Sequence, residues 1–288
     1  MYKKRTPYIY LLPWFIGITV FKVYPMILTF YYSFTEKSLI GDATWIGFKN
    51  YITLFTHDDK FWLSLSSTFK YVFFTVPLAL IFGLFIAYIL NFKLKGVKLF
   101  RTIYYIPSLL GTSVAVAILW QTLFSFDGPI NSLVMSFGFE AIPWFTDPNT
   151  SLFILSLLRF WQFGSMMLIF LAALQGVPQE LYEAATLDGS SQINTFLKVT
   201  IPVISPVILF NGIMALIGAF QEFNSPFIIT EGGPQYHTYF LNMFIYQEAF
   251  TYHNFGYACA LSMILVVIIL FFTTIVFKFS AKHVFYSD

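Results

Sequence analysis

Six apolar runs, each long enough to cross a lipid bilayer, constrain the fold of this chain more than any other feature. A helix needs about 20 apolar residues to span the hydrocarbon core. The runs lack a two-residue alternation, which excludes a membrane β-barrel and leaves helices to satisfy the backbone hydrogen bonds. The pattern predicts an all-α polytopic membrane protein, one transmembrane domain over residues 1–288, with six transmembrane helices at about residues 8–34, 71–90, 105–124, 152–174, 203–223 and 257–279.

The composition supports membrane insertion and excludes several classes of function. Hydrophobic residues make up 58% of the chain and charged residues 10%, against about 25% charged residues in an ordinary soluble domain. A single cysteine, Cys259, excludes an internal disulfide framework. The formal net charge of +2 is too small to indicate a nucleic-acid partner. The four histidines are scattered, so no metal site is predicted.

The lysines and arginines of the connections predict the orientation in the membrane, because basic residues resist translocation. The connections at residues 127–147 and 222–253 contain acids and neither lysine nor arginine, and are therefore expected outside. The chain is expected in the cell membrane with both termini in the cytoplasm. Basic residues cluster before the first run, between the second and third runs, and after the last: Lys3, Lys4, Arg5, Lys93, Lys95, Lys98, Arg101, Lys278 and Lys282.

A polar segment over residues 175–202 lies between the fourth and fifth runs, on the predicted cytoplasmic side. Pro178 and the helix formers after it predict a short helix. Asp188 and Gly189 end that helix, and Ser190 or Ser191 can cap a second one. The segment therefore predicts a helix-turn-helix outside the bilayer.

One face of the first short helix carries Leu181, Ala184, Ala185 and Asp188 at helical spacing. Small alanine side chains permit the close approach of another surface. The residues leave two interpretations open: a docking surface for a soluble partner, or an amphipathic helix packed on its own protein.

This segment resembles the cytoplasmic loop signature of binding-protein-dependent ABC importer permeases. The resemblance rests on Glu183-Ala184-Ala185, on Gly189, and on Val199-Thr200-Ile201-Pro202, where valine and isoleucine replace the usual isoleucine and leucine. Flanking fragments resemble sugar permeases of the maltose and glycerol-phosphate type over nearly the whole chain. These fragments are Tyr24-Pro25, Ser33-Phe34, Gly47 to Tyr51, Phe100 to Thr102, Trp120 to Phe124, Leu171 to Pro178, Gly232 to Pro234, and Gly256 to Ala258.

The resemblance implies a type I ABC importer permease fold with a cytoplasmic coupling helix, and import of a carbohydrate delivered by an external solute-binding protein. Its implied partners are a second, homologous permease in a heterodimer and two ABC ATPase subunits that bind MgATP. The chain contains no G-x-x-x-x-G-K-[ST] phosphate loop, so it is expected to bind no cofactor and not to be an enzyme. The implied coupling residues are Glu183, Ala184, Ala185, Asp188 and Gly189.

A set of mainly polar residues in the third, fourth and fifth runs suggests a path for the substrate. Arg159 lies seven residues inside the fourth run, where a charge costs about 2.5–3.5 kcal/mol on insertion scales and must face protein or water. The alternative is a structural ion pair between Arg159 and Glu222, with Trp161 in the core or facing lipid. The path candidates, chosen partly by the resemblance, are Arg159, Trp161, Gln162, Ser165, Gly218, Glu222 and Gln121.

A secondary, ion-coupled transporter of a small polar solute is the alternative function. Such a protein would also be polytopic, but matching interrupted segments and paired intramembrane acids are not visible in the sequence. An intramembrane enzyme would need a nucleophile with its base, or a metal pair, within the spans. Neither is visible. The sequence leaves open which sugar is carried and whether it is charged.

Overall fold

The structure of the chain, a computed structural model, describes residues 6–92, 96–111 and 113–281. These residues are mainly helical, and strands β1 (Thr35–Glu36) and β2 (Thr44–Trp45) form a short antiparallel pair. The described residues also include π-helical segments at Thr19–Val23, Phe196–Thr200, Pro226–Thr230 and Gln247–Thr251. The α-helices are α1 (Thr6–Ile18), α2 (Tyr24–Tyr32), α3 (Lys49–Thr56), α4 (Asp59–Asn91), α5 (Val97–Leu110), α6 (Val114–Leu123), α7 (Pro129–Ser136), α8 (Pro148–Trp161), α9 (Gly164–Gln175), α10 (Gln179–Leu187), α11 (Gln192–Thr195), α12 (Ile201–Phe220), α13 (Leu241–Tyr246) and α14 (Phe255–Ala281).

Four continuous helical segments are long and apolar enough to cross a membrane: Tyr10–Tyr32, Asp59–Asn91, Gln192–Phe220 and Phe255–Phe279. Two bent pairs, α5 with α6 and α8 with α9, raise the number to six if each pair is one span. The predicted all-α membrane architecture is confirmed, with four to six apolar spans in the part of the chain that the structure describes.

The third apolar run differs from the single helix predicted over residues 105–124. Helices α5 and α6 are separate and bent by 105°. Ser113 explains the restart, because its backbone is extended and its hydroxyl oxygen accepts a hydrogen bond from the amide of Ala115 at 3.3 Å. Helices α8 and α9 are bent by 46° around Gln162 and Phe163.

The chain divides into two compact units. The first unit consists of the described residues of Met1–Trp62 and Phe244–Val267. It contains a cavity of about 360 Å³ lined largely by polar side chains. Four of its lining residues, Asp58, Glu248, Asn254 and Tyr257, are hydrogen-bonded in pairs and are called here the Asp58 cluster.

The carboxylates of the Asp58 cluster are satisfied within the first unit, since each accepts hydrogen bonds from donors of that unit. Asp58 Oδ1 accepts from the amides of Lys60 and Phe61 at 3.0 and 3.3 Å, and the Tyr257 hydroxyl donates to Asp58 Oδ2. Asn254 Nδ2 donates to Glu248 Oε2 at 2.9 Å. These bonds cap the start of α4 and secure the beginning of α14.

The second unit consists of Leu63–Met243 and the described residues of Ile268–Asp288. Its apolar core is centred on α9, whose inward side chains pack against α4 and α12. The fully or almost fully buried residues of this core include Ala87, Met167, Phe170, Leu171, Leu174 and Ile204.

A buried amide in the second unit secures a loop through hydrogen bonds. Asn131 is 0% exposed and makes four hydrogen bonds. Its Nδ2 donates to the carbonyls of Phe126 and Ile142, and its Oδ1 accepts from the amide of Ile142 and from the indole of Trp144. The Asn131 side chain therefore helps to fix the loop before α8.

Candidate docking surface and intramembrane cavity

The predicted helix-turn-helix is present, with α10 as its first helix. Gly189 follows α10 with φ of +72°, in the left-handed region that glycine adopts at low cost. The amides of Gly189 and Ser190 donate to the carbonyls of Thr186 and Ala185, both at 3.0 Å, and close the helix end. A Cβ at Gly189 would meet no atom within 4 Å. Backbone conformation, rather than lack of space, therefore favours glycine here.

Five exposed residues around the end of α10 form what is called here the docking surface: Glu183, Ala184, Leu187, Asp188 and Gly189. Leu187 is 90% exposed, although it is a large apolar side chain in a polar loop. Ala185, predicted on the same face, is 8% exposed and points into the protein. Leu187 was not among the predicted residues, although an apolar residue at the polar end of α10 was a usable signal.

The docking surface is joined to α12 by hydrogen bonds and by continuous helix. Thr200 Oγ1 donates to the Tyr182 hydroxyl at 3.2 Å, which connects α10 to the π-helical segment before α12. Ser191 Oγ accepts from the amide of Asn194 at 3.4 Å and caps α11. Helix α11, the π-helical segment and α12 then follow one another without a break.

A cavity of about 390 Å³ lies in the second unit and is called here the Arg159 cavity. Three of the predicted path residues, Arg159, Gln162 and Ser165, line it. Asn211 on α12, Thr75 on α4 and Ser108 on α5 add polar groups, and the remaining lining is mostly apolar. Its size and mixed lining are typical of a small-molecule site.

Two glycines allow long polar side chains to approach the backbone at this cavity. Gln162 Nε2 donates to the carbonyl of Gly111 at 2.8 Å, and a Cβ on Gly111 would lie 2.6 Å from Gln162 Cδ. A Cβ on Gly218 would lie 2.8 Å from Arg159 Nη2. Gly218 therefore leaves the space that the guanidinium occupies.

The other predicted path residues do not line the Arg159 cavity. Gln121 Nε2 donates to the carbonyl of Ile229 at 3.3 Å. The ring of Trp161 packs against that of Trp120, with centroids 5.8 Å apart. Glu222 accepts from the amide and hydroxyl of Ser225 at 3.2 and 2.8 Å.

The alternative ion pair between Arg159 and Glu222 is not formed. Both residues line a small pocket of about 30 Å³, beside Asn224 and Ser225. Across the residues described, however, the Arg159 guanidinium has neither a hydrogen-bond acceptor nor an ion-pair partner.

Comparison with known proteins identifies the family. Residues 79–284 match the model of the binding-protein-dependent transport system inner membrane component family. A probable ABC transporter permease protein of Bacillus subtilis (strain 168), YesP, is 44% identical over 98% of this chain and 92% of the relative. The arabinooligosaccharides transport system permease protein AraP of the same organism is 32% identical over 97% of this chain and 90% of the relative.

A solved structure supports the fold. A permease chain of a bacterial ABC transporter involved in the import of the acidic polysaccharide alginate matches with a TM-score of 0.81 and 22% identity. The match covers 96% of this chain and 94% of the other. The predicted ABC importer permease fold is thereby confirmed. The chain belongs to the inner membrane components of binding-protein-dependent transport systems, as a permease of an ABC importer.

Proposed function

We propose that this chain is one transmembrane half of an ATP-driven importer, which receives a carbohydrate from an external solute-binding protein and releases it into the cytoplasm. The other half is a second, homologous permease, and two ABC ATPase subunits bind and hydrolyse MgATP. The family is a membrane component rather than the catalytic part of such systems. One relative is named as an arabinooligosaccharides permease and another as a trehalose/maltose permease, and these names support a carbohydrate as the substrate.

The observation that carries the proposal is the docking surface. Burial of a leucine side chain stabilises by about 1.5–3 kcal/mol, and Leu187 loses most of that stabilisation while it is 90% exposed. Glu183 and Asp188 add exposed charges to the same surface. An ATPase cleft that covers Leu187 and contacts these carboxylates would recover the lost burial energy.

Both termini and the docking surface then lie in the cytoplasm, where the ATPase subunits bind. The basic residues of the connections support this orientation, and Lys198 in the loop agrees with it. The acidic connections at residues 127–147 and 222–253 face the solute-binding protein outside.

Movement of the ATPase subunits reaches the substrate path along α12. The docking surface is tied to the start of this helix through Tyr182 and Thr200. Asn211 lies 20 residues beyond Ser191, which is roughly 30 Å along a helix at 1.5 Å per residue. A tilt of the loop therefore displaces the wall of the Arg159 cavity that α12 supplies.

The turn at Gly189 provides the test. Gly189→Val places a β-branched residue at φ of +72°, which costs about 1–2 kcal/mol and re-aims the end of α10. We expect the assembled importer to lose at least about tenfold of its substrate-stimulated ATPase activity. Gly189→Asn is the matched control, since asparagine tolerates the left-handed region and should retain most of the stimulation. The measurement is ATPase activity of the reconstituted complex with and without loaded binding protein.

Assembly of the Gly189→Val complex is checked by co-purification of all subunits. If the valine variant assembles and is stimulated like the wild type, the docking surface does not transmit the ATP cycle. The proposed coupling role would then be wrong.

A further inference from the structure

Among the described residues that line the Arg159 cavity, one side chain is charged and none is acidic. Arg159 is the ionisable residue among its lining residues, whereas Thr75, Ser108, Gln162, Ser165 and Asn211 are neutral. In the regions that the structure describes, the guanidinium makes no hydrogen bond and no ion pair. An intramembrane cation without an ion-pair partner among the described residues favours a ligand that supplies an acceptor.

Glu222 forms no ion pair with Arg159, although both residues line the small neighbouring pocket. Its carboxylate accepts two hydrogen bonds from Ser225 and faces the small neighbouring pocket, not the Arg159 cavity. Gly218 lies against the other side of the guanidinium, where a Cβ would be only 2.8 Å from Nη2. Gly218 therefore leaves room for the guanidinium beside α12, and the guanidinium has no ion-pair partner among the described residues.

Asn211 adds a second unmatched donor to the same cavity. The residue is 3% exposed, and its Nδ2 is buried without a hydrogen-bond acceptor among the described residues. A buried donor left unsatisfied costs about 1–3 kcal/mol. Two donor groups that line one cavity and lack acceptors point to a ligand rich in acceptor oxygens.

A carboxylate suits the positive charge of Arg159 and the Asn211 donor better than a sugar hydroxyl does. The planar guanidinium presents paired N–H groups that match the two oxygens of a carboxylate, and such charge-assisted bonds are about twice as strong as neutral ones. A neutral hydroxyl can accept a hydrogen bond from Arg159 but leaves its charge uncompensated.

We propose that the carbohydrate carried by this permease is acidic, and that a sugar carboxylate pairs with Arg159 in the Arg159 cavity. Asn211 donates a further hydrogen bond, and Gly218 is a positioning residue that gives the guanidinium its place. The inference rests on the proposed function and adds the charge of the substrate to it.

The test uses the complete importer in proteoliposomes, with partner subunits and binding protein. The probes are a panel of uronate-containing oligosaccharides and the same panel with each carboxyl group reduced to a primary alcohol, so that the charge is the main difference. We expect the wild type to take up acidic probes, and Arg159→Gln to lower this uptake at least tenfold. Arg159→Lys should retain part of the acidic uptake, because lysine keeps the positive charge but lacks the paired N–H donors of the guanidinium. Lys22→Gln is the control, since Lys22 is an exposed cation in an apolar run outside the cavity.

The outcomes distinguish the inference about substrate charge from the proposed importer function. Uptake of the reduced probes in preference to the acidic ones, or acidic uptake that Arg159→Gln leaves unchanged, overturns the inference about charge and leaves the carbohydrate importer intact. Uptake of neither panel also overturns the inference about charge, whereas uptake without ATP overturns the proposed function as well. If Arg159→Gln fails to assemble, Gly218→Ala displaces the guanidinium without removing it and should lower acidic uptake in the same direction.

Discussion

The two compact units each contain a polar cavity of similar volume, about 360 Å³ at the Asp58 cluster and about 390 Å³ at Arg159. At the Asp58 cluster both carboxylates accept hydrogen bonds from their own unit. At the Arg159 cavity the guanidinium and the Asn211 amide find no acceptor among the described residues. The difference separates polar groups that stabilise the fold from polar groups left open for a ligand.

The strongest test of this difference compares two buried asparagines of the second unit. Asn131→Leu should lower the free energy of unfolding by about 3 kcal/mol, because it removes four hydrogen bonds and leaves buried partners unsatisfied. Asn211→Leu removes an unpaired donor at similar volume, and should leave stability unchanged or raise it by up to about 1 kcal/mol. Thermal unfolding of the purified full-length variants measures both effects.

Substrate uptake is the second measurement on these asparagine variants, and here Asn211→Leu is the variant expected to lose function. Asn211→Leu should reduce substrate uptake by the assembled importer despite its unchanged or higher stability. A loss of stability in Asn211→Leu equal to that in Asn131→Leu would mean that the Asn211 amide is a structural group, which would remove it from the ligand site.

A smaller effect is expected at the start of α4, where two adjacent aspartates form a matched pair. Asp58→Ala removes the helix cap and the bond from Tyr257, and should cost about 2 kcal/mol of stability. Asp59→Ala changes an exposed side chain and should cost much less. Equal shifts in thermal unfolding for the two variants would show that the Asp58 cluster is not a stabilising network.

The smallest effect concerns pH and Glu248, which lies outside the membrane spans. Burial raises the pKa of the Glu248 carboxyl; the hydrogen bond from Asn254 opposes this shift, Asp58 adds to it and Lys60 opposes it. The folded protein therefore holds a proton that the unfolded chain loses above about pH 4.3. Stability should decrease as the pH rises from that point through the raised pKa.

Glu248→Gln keeps an acceptor for Asn254 and removes the titration. Its thermal stability relative to the wild type should increase as the pH rises through this window, and then stay constant. A difference that does not vary with pH would show that Glu248 is not held protonated by its surroundings.

The docking surface was largely predictable because its residues are contiguous. Helix formers, Gly189 and a serine cap act within a few residues of each other, so local chemistry predicts the helix, the turn and the restart. The inward direction of Ala185 and the exposure of Leu187 depend on how α10 packs on its core, and local patterns do not contain that information. The docking role of Glu183 and its neighbours stays a prediction.

The Arg159 cavity was predictable only in part. The cost of a charge in the membrane indicated Arg159, and Gln162 and Ser165 follow within the same run, so the sequence could select them. Gln121, Trp161 and Glu222 looked equivalent in sequence but have other partners. Asn211 was missed, although a lone amide inside the fifth apolar run was a usable signal.

The sequence by itself determined that the chain crosses a membrane by helices, and which loop protrudes from it, because run length and local helix signals act over short distances. The tertiary structure decided which polar groups are satisfied. Arg159 on α8 and Asn211 on α12 line one cavity only after these helices pack, and the same packing brings Gly218 against the guanidinium. Whether a buried charge finds a partner depends on distances across that packing, and these are set by the fold as a whole.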